Sequence, residues 1–398
     1  MSTDGFGPAL RASLAPVIGM AVAGVSISYL WPLFALLQEN EGYSGFLIGL
    51  NSTASALTMV VSAPLMPRIL ARVGLVPLML ISVVVVAGVL VVIPVAYDFW
   101  WWTVLRMILG VAGTALFFAA EYWLVEIAPS KSRGRIVAVY AVVLSVSYGV
   151  GPIMLRTLGL ESWQTFVIPA VIILLSAIPI MLGRRSAPSG QGEGSASPLE
   201  TLSFFRSDPL ILWGVVLFGM IEFGAMGLLS VWGLRSGLAE ASALELLTWL
   251  AVGSVIFQFV MGWAADKFDR RKLLAVAGAI SLITPLLMIQ FAGNYPALVA
   301  FVVLWGGMAV SLYTLALTEL GARYDGPELA AGNAAVVLAY GLGAFAAPAA
   351  FGRAMDWIRP DGLLWFAAGC AGAYLLLALI RLSRRARKSL DTDGQASR

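Results

Sequence analysis

Twelve long apolar stretches dominate this chain of 398 residues. Each is close to the roughly twenty apolar residues that a helix needs to cross the hydrocarbon core of a bilayer. The stretches are residues 13–37, 45–67, 76–97, 100–126, 136–157, 163–183, 209–233, 244–264, 273–293, 297–320, 331–352 and 362–380. We therefore predict an all-α membrane protein with twelve transmembrane spans, numbered in this order.

The composition excludes several other kinds of protein. Apolar residues make up 60% of the chain and charged residues 12%, which lies outside the range of soluble proteins. There is no His and a single cysteine, Cys370, so we expect no metal, no cofactor and no internal disulfide. The net charge of +3 gives no reason to expect nucleic-acid binding. No Gly-x-x-x-x-Gly-Lys-(Ser/Thr) loop is present, so we expect no ATP-driven step.

The basic residues gather at one end of the predicted spans. With both termini in the cytoplasm, twenty of the 25 Lys and Arg residues lie on the cytoplasmic side and one lies within a span. The four on the other side are Arg156, Arg235, Arg353 and Arg359. Because cytoplasmic loops of membrane proteins are enriched in Lys and Arg, we predict a multi-pass protein of the cytoplasmic (inner) membrane with both termini inside.

A polar segment divides the spans into two sets of six. Residues 184–208 are rich in Gly, Ser and Pro, which is typical of a flexible cytoplasmic linker, and 199–206 could form a short interfacial helix. The sequence thus predicts an N-terminal half over 1–183, a C-terminal half over 209–390 and a tail over 391–398.

The two halves share local sequence patterns. The run Tyr148-Gly149-Val-Gly151 in span 5 returns as Tyr340-Gly341-Leu-Gly343 in span 11. Glu121 near the end of span 4 returns as Glu319 near the end of span 10. Together with a repeated loop, these offsets of 192 to 198 residues indicate a parallel duplication.

The most highly charged loop joins spans 8 and 9. It reads Gly262-Trp-Ala-Ala-Asp266-Lys267-Phe-Asp269-Arg270-Arg271-Lys272. This run resembles the signature loop of the major facilitator superfamily, Gly-x-x-x-Asp-(Arg/Lys)-x-Gly-(Arg/Lys)-(Arg/Lys), with Asp269 in place of the second glycine. Its first-half counterpart over 67–76 keeps only Arg72 and Gly74 of the pattern.

The resemblance implies a fold and a role for this loop. The fold is two pseudo-symmetric six-helix halves that work by alternating access, and the signature loops act in gating. We expect Gly262 to let two helix backbones approach closely, and Asp266 to cap free N–H groups or pair with a neighbouring arginine. We expect Lys267, Arg270 and Arg271 to hold the loop on the cytoplasmic side.

Charged residues inside the spans are the candidates for function, because such charges are costly and normally face the protein interior or a water-filled cavity. The superfamily lines its central cavity with helices 1, 4, 7 and 10, and spans 3, 6, 9 and 12 here contain no acid or base. In the spans expected to line that cavity, span 4 has Arg106, Glu121 and Glu126, span 7 has Glu222 and span 10 has Glu319.

Arg106 begins a stripe along one face of span 4. The spacing Arg106-x-x-x-Gly110-x-x-Gly113 resembles a helix-4 motif of the superfamily, in which the arginine is implicated in proton coupling. The alternative is a structural arginine that holds helices together through carbonyl groups or through Asn51 of span 2.

Glu222 lies near the middle of span 7 with no base close in sequence. We expect it to bind a proton, and to be compensated by Arg106 or by a cationic substrate when it is ionised. The alternative is a glutamate that only packs. Aromatic residues such as Tyr29 and Tyr313 could line the same cavity.

Glu121 and Glu319 lie near the predicted cytoplasmic ends of their spans. We expect them to pair with signature-loop bases such as Arg72 or Arg270, with Arg323 as a further partner for Glu319, and so to latch the inner gate.

The sequence therefore predicts a secondary active transporter, not an enzyme, that moves a small organic solute by alternating access and is coupled to protons. We expect its partners to be the solute, protons and the lipid bilayer, and the protein to be a monomer. Two alternatives remain open: a proton-independent facilitator, and a non-transporting membrane sensor or assembly factor on the same scaffold.

Overall fold

The protein is helical throughout the part that the computed structural model describes, which is residues 14–127, 133–160, 162–188, 198–324 and 326–396. The main helices are α1 (Leu14–Asn40), α2 (Gly45–Val73), α3 (Leu75–Val95), α4 (Phe99–Ile127), α5 (Arg133–Leu158), α6 (Gln164–Arg185), α7 (Pro209–Arg235), α8 (Glu240–Lys267), α9 (Arg270–Gln290), α10 (Tyr295–Gly321), α11 (Gly326–Trp357) and α12 (Gly362–Ala396). A further short helix, Pro198–Ser207, precedes α7 and is called the linker helix below.

The predicted twelve-helix fold is confirmed. Eleven of the described helices are long and apolar enough to cross a membrane, and α5 supplies a shorter apolar helix over Val142–Leu158. Several helices are longer than the predicted apolar runs and continue into the polar residues that flank them. The clearest case is α12, which continues to Ala396, past the predicted end at 380.

The described residues form two compact units. The first contains Met226–Thr248 in addition to the described residues of Met1–Gly194. The second contains Ser195–Ala225 and Trp249–Arg398. The domain boundaries drawn from the sequence at 183 and 209 stay a prediction.

The same helix pairs pack in both units, which agrees with the predicted duplication. In the first unit α1 packs on α5, α2 on α4, and α3 on both α4 and α6. In the second unit α9 packs on α10 and α12, matching α3 with α4 and α6.

Glycines mark one more helix pair that recurs, α1 with α5 in the first unit and α7 with α11 in the second. A Cβ on Gly151 of α5 would lie 2.5 Å from the backbone nitrogen of Tyr29 on α1, and one on Gly343 of α11 would lie 2.2 Å from the carbonyl oxygen of Val216 on α7. These close approaches need glycine because any side chain would clash with backbone.

The linker helix packs against α11. Its Phe204 is buried in one apolar cluster with Ile211 and Leu212 of α7, Leu320 of α10 and Ala335 of α11. The helix predicted over 199–206 therefore forms, and its Phe204 side chain is covered by protein, while Leu202 is exposed.

Candidate functional site

The carboxylate of Glu222 lies in the middle of α7, in the second unit. The hydroxyl of Tyr340 on α11 donates a hydrogen bond of 2.6 Å to its Oε2 atom. No Lys or Arg in the described part of the chain pairs with Glu222. The carboxyl group is half-buried and so remains accessible.

Aromatic rings cluster around Tyr340, the donor to this carboxyl group. The ring of Tyr340 stacks on Phe218 at 5.6 Å and meets Phe223 edge-on at 5.6 Å. Tyr313 of α10 completes the cluster, 5.4 Å from Phe218 and 6.3 Å from Tyr340. Tyr313 was expected beside a cavity, and the structure places it half-exposed next to the Glu222–Tyr340 pair.

The duplication does not repeat this site. The 192-residue offset that relates Gly343 to Gly151 places Leu30 of α1 at the position of Glu222. The 196-residue offset that relates Gly306 to Gly110 places Val302 at the position of Arg106. Glu222 and Arg106 therefore each lack a charged counterpart in the other half.

Arg106 is fully buried in the first unit, with 1% of its surface exposed. Its Nη2 atom donates a hydrogen bond of 3.1 Å to the carbonyl oxygen of Trp31 on α1. The guanidinium carbon lies 5.3 Å from the centre of the Trp31 ring and 4.9 Å from that of Phe34. The expected stripe on α4 faces α1 and α2, since a Cβ on Gly110 would lie 2.5 Å from the carbonyl oxygen of Ser55.

Two residues expected near Arg106 have other partners. Asn51 does not hold the arginine, because its Oδ1 atom, the one that could accept from a guanidinium group, has no hydrogen-bond partner among the described residues, and its amide nitrogen donates to Thr103 at 2.8 Å. Tyr29 is buried rather than exposed to a cavity, and its hydroxyl donates at 2.6 Å to the carbonyl oxygen of Thr165 at the start of α6. Tyr29 therefore ties α1 to α6.

Glu319 joins the signature loop to the end of α10. Its carboxylate lies 3.1 Å from Nε of Arg271, 3.9 Å from Nη1 of Arg270 and 2.7 Å from Nη2 of Arg323. The sequence indicated Arg270 and Arg323 as partners but did not select Arg271.

A second carboxylate, which was not among the residues predicted from the sequence, extends this network. Asp208 lies between the linker helix and α7, is 6% exposed, and pairs with Arg323. The hydroxyl of Tyr324 also donates to the Asp208 carboxylate, and that hydrogen bond raises the pKa of Tyr324 to about 12. An acid directly before Pro209 was the available signal, but its partners lie 115 and 116 residues away.

The signature loop differs from the expectation at Asp266 and at Gly262. Asp269, not Asp266, caps α9, and its side chain accepts from the backbone nitrogens of Arg271 and Lys272. Asp266 is exposed and has no side-chain partner among the described residues. A Cβ on Gly262 would meet open space, so this glycine does not serve close helix packing. Lys267 lies 4.1 Å above the ring of Trp263.

Backbone geometry explains why the two loops differ. Gly74, between α2 and α3, has a φ of +87°, which favours glycine. Asp269, at the equivalent position, has a φ of −60°, where a capping aspartate fits without strain.

Glu121 has no partner of the kind expected. Glu121 and Arg72 are both exposed, and neither forms an ion pair within the described residues. The physical reason is that Leu75 and Val76 occupy the positions of Arg270 and Arg271 in the first-half loop, so the bases that bind Glu319 have no counterpart.

Two ion pairs within the first unit lie at the predicted outer ends of the helices. Their arginines served only as orientation signals in the sequence, and these pairs were not predicted. Arg235 at the end of α7 donates two hydrogen bonds, of 2.8 and 2.7 Å, to the carboxylate of Glu39 at the end of α1. Arg156 of α5 pairs with Glu245 of α8. The Glu39–Arg235 pair is about one-fifth exposed on each side and bidentate.

Comparison with known proteins decides the family. The sequence model of the Major Facilitator Superfamily matches residues 17–249 and 237–397. The chain belongs to the Major Facilitator Superfamily. It is a multi-pass membrane transporter of that superfamily, and the predicted family and fold are confirmed.

Relatives of this superfamily member are named as transporters. YfkF of Bacillus subtilis, an MFS-type transporter, is 27% identical over 88% of this chain and 90% of its own length. YcaD of Shigella flexneri is 23% identical over 91% and 93%.

Solved superfamily structures share the fold. A bacterial homologue of the human lysosomal transporter Spinster, inward-facing and unoccupied, superposes with a TM-score of 0.74 at 15% identity over 95% of this chain and 96% of its own. The nucleoside transporter NupG gives a TM-score of 0.75 at 12% identity over 94% and 98%.

Proposed function

We propose that this superfamily member is a secondary active transporter that moves a small organic solute across the cytoplasmic membrane and couples that movement to protons. The observation that carries the proposal is the half-buried Glu222 carboxyl group, held by Tyr340 in the middle of α7.

The chemistry of that position favours a proton carrier. A carboxylate inside a membrane span must be neutralised by a proton, a paired base or a bound cation. No base of the described chain pairs with Glu222. The Tyr340 hydroxyl stabilises the ionised form, because hydrogen bonds to charged groups are stronger than those between neutral groups. The carboxyl group can therefore exist in both states, as a proton-coupled cycle requires.

The ion pairs at the helix ends support alternating access. The Glu39–Arg235 and Arg156–Glu245 pairs lie at the predicted outer side. Glu319 and Asp208 form ion pairs with arginines at the predicted inner side. The two outer pairs are partly exposed, and such pairs contribute roughly 0–1 kcal/mol each, so they can break and re-form in a transport cycle. We propose that these two sets are the outer and inner gates.

We place both termini in the cytoplasm and propose that a monomer carries out transport without any enzymatic step. Twelve spans in one chain supply both six-helix halves that alternating access needs.

Proton coupling can be measured before the solute is identified. The purified protein is reconstituted into liposomes that contain a pH-sensitive dye, and a panel of nucleosides, amines, sugars and carboxylates is added outside one at a time. A coupled transporter changes the internal pH with one class of solute and not in protein-free liposomes.

Two results would overturn the proposal. Uptake of a labelled solute with no change in internal pH would show a proton-independent facilitator. Binding of a solute, detected as a rise in melting temperature, without any flux would show a sensor on the same scaffold.

A further inference from the structure

Arg106 has more hydrogen-bond donors than its protein surroundings use. A guanidinium group carries five N–H donors and stays charged in proteins. In the described chain its one hydrogen bond is that to the Trp31 carbonyl oxygen, and its Nε atom is buried without a partner. The Trp31 and Phe34 rings attract the cation but accept no strong hydrogen bond.

The charge of Arg106 is also not neutralised by any described side chain. No carboxylate of the described chain forms an ion pair with it. An uncompensated charge in a low-dielectric interior is strongly destabilising, which is why removing one partner of a buried ion pair destabilises proteins. The surroundings of Arg106 therefore favour an anionic partner that the described residues do not supply.

A cavity lies beside the guanidinium group, between α1, α2, α3 and α4. It has a volume of about 40 Å³, and Arg106, Ser26, Ser55 and Gly113 are among its lining residues. The Ser26 hydroxyl donates to the carbonyl oxygen of Val22. The Ser55 hydroxyl has no partner within the described residues, so it is a second donor available to the cavity.

The volume of the cavity limits the size of the ligand that it can hold. One water needs at least about 10–15 Å³ measured in this way, so the cavity holds up to about three waters. It is too small for an organic solute but large enough for one halide or nitrate ion.

We propose that the cavity binds a single small monovalent anion, with Arg106 and Ser55 as its donors. Water could satisfy the same donors, but it would leave the positive charge of Arg106 uncompensated. The inference does not depend on proton coupling or on the identity of the transported solute.

The test compares the melting temperature of the purified protein in chloride, bromide and gluconate salts at equal ionic strength. Chloride and bromide should raise the melting temperature by about 2 °C or more over gluconate, because a ligand of the folded state stabilises it by mass action. Bromide should also give an anomalous-scattering peak against the Arg106 guanidinium in crystals.

Two variants separate this site from general salt effects. Arg106→Met removes the charge while keeping an unbranched apolar chain, and the chloride response should vanish. Gly113→Val keeps Arg106 but fills the cavity, because a Cβ on Gly113 meets nothing within 4 Å, and the response should again vanish. Gly88→Val is the matched control, since Gly88 is exposed on α3, lies outside this lining and also has open space at its Cβ.

Equal melting temperatures in chloride and gluconate for the wild type would overturn the proposal and leave water as the ligand. A chloride response that persists in Gly113→Val would overturn it too, because the ion would then bind elsewhere. Should Arg106→Met fail to fold, the comparison of Gly113→Val with Gly88→Val still decides the question.

Discussion

The hydroxyl group of Tyr340 donates a hydrogen bond of 2.6 Å to the carboxylate of Glu222, joining α11 to the middle of α7. Both side chains are half-buried, and the Tyr340 ring contacts the rings of Phe218, Phe223 and Tyr313. A carboxylate that has one neutral donor and no base among the described residues is chemically able to exchange a proton. The first two predictions test this pair.

Glu222→Gln should abolish accumulation of solute driven by a pH gradient but leave exchange of labelled for unlabelled solute intact. Glutamine mimics the protonated carboxyl group and cannot release a proton. Both fluxes are measured in proteoliposomes with an imposed gradient, and Glu126→Gln, an exposed acid of α4, serves as the control. Accumulation with wild-type pH dependence in Glu222→Gln would make Glu222 a packing residue.

Two tyrosine variants should separate coupling from stability. Tyr340→Phe keeps the ring and removes the donor to Glu222, so coupled transport should fall by about tenfold, since a hydrogen bond to a charged group contributes roughly 1.5–3 kcal/mol. Tyr29→Phe removes a hydrogen bond to the Thr165 carbonyl oxygen and should lower stability by about 1 kcal/mol with coupling unchanged. Identical effects of the two variants on transport would contradict a special role for Tyr340.

The Glu39–Arg235 pair should hold two helix ends together. Glu39→Gln and Arg235→Gln should each destabilise the protein by roughly 1 kcal/mol, and the double variant should lose little more than either one, because both break the same interaction. Melting temperatures of the four proteins form a double-mutant cycle. Strictly additive losses would show that the two side chains do not interact.

Asp208→Asn should lower the pKa of Tyr324 from about 12 towards its ordinary value, because the hydrogen bond to the carboxylate favours the neutral phenol. The pKa is read from the phenolate absorbance of the wild type minus that of Tyr324→Phe, and the same difference is taken in the Asp208→Asn background. An unchanged pKa would mean that Asp208 does not hold Tyr324.

The raised pKa of Tyr324 also makes the stability of the folded protein depend on pH. Because the folded-state pKa of Tyr324 is raised, the interaction with Asp208 stabilises the protein fully below the unfolded-state pKa near 10. This stabilisation is lost as the pH rises through about 12.

The orientation can be tested with two engineered cysteines after Cys370→Ala has removed the native thiol. Ala239→Cys, in the turn between α7 and α8, should react with an impermeant thiol reagent in intact cells. Arg185→Cys, at the start of the linker, should be protected. Ala239 is chosen over Gly237 because Gly237 has a φ of +91°, where a side chain is strained. The reverse labelling pattern would reject the predicted orientation.

Local sequence was sufficient for the helices and for one ion pair. A membrane span is defined by a continuous apolar run, so the twelve helices could be predicted without knowing their neighbours. Glu319 and Arg323 are four residues apart on one helix, and this spacing alone indicates that they meet. The glycines of α5 and α11 likewise revealed the duplication, because their packing role depends on a short motif.

Tertiary structure alone decided how the polar side chains pair. Glu222 with Tyr340, Asp208 with Arg323 and Glu39 with Arg235 are separated by 118, 115 and 196 residues. A polar group in a membrane helix normally faces the protein interior. Which partner it meets there depends on how each helix is rotated about its axis. Long apolar runs carry little information about this rotation, since they are apolar on all sides. For the same reason the sequence identified Arg106 as a buried charge, but only the packing of α1 and α2 against α4 showed its ring contacts, its unused donors and the cavity beside it.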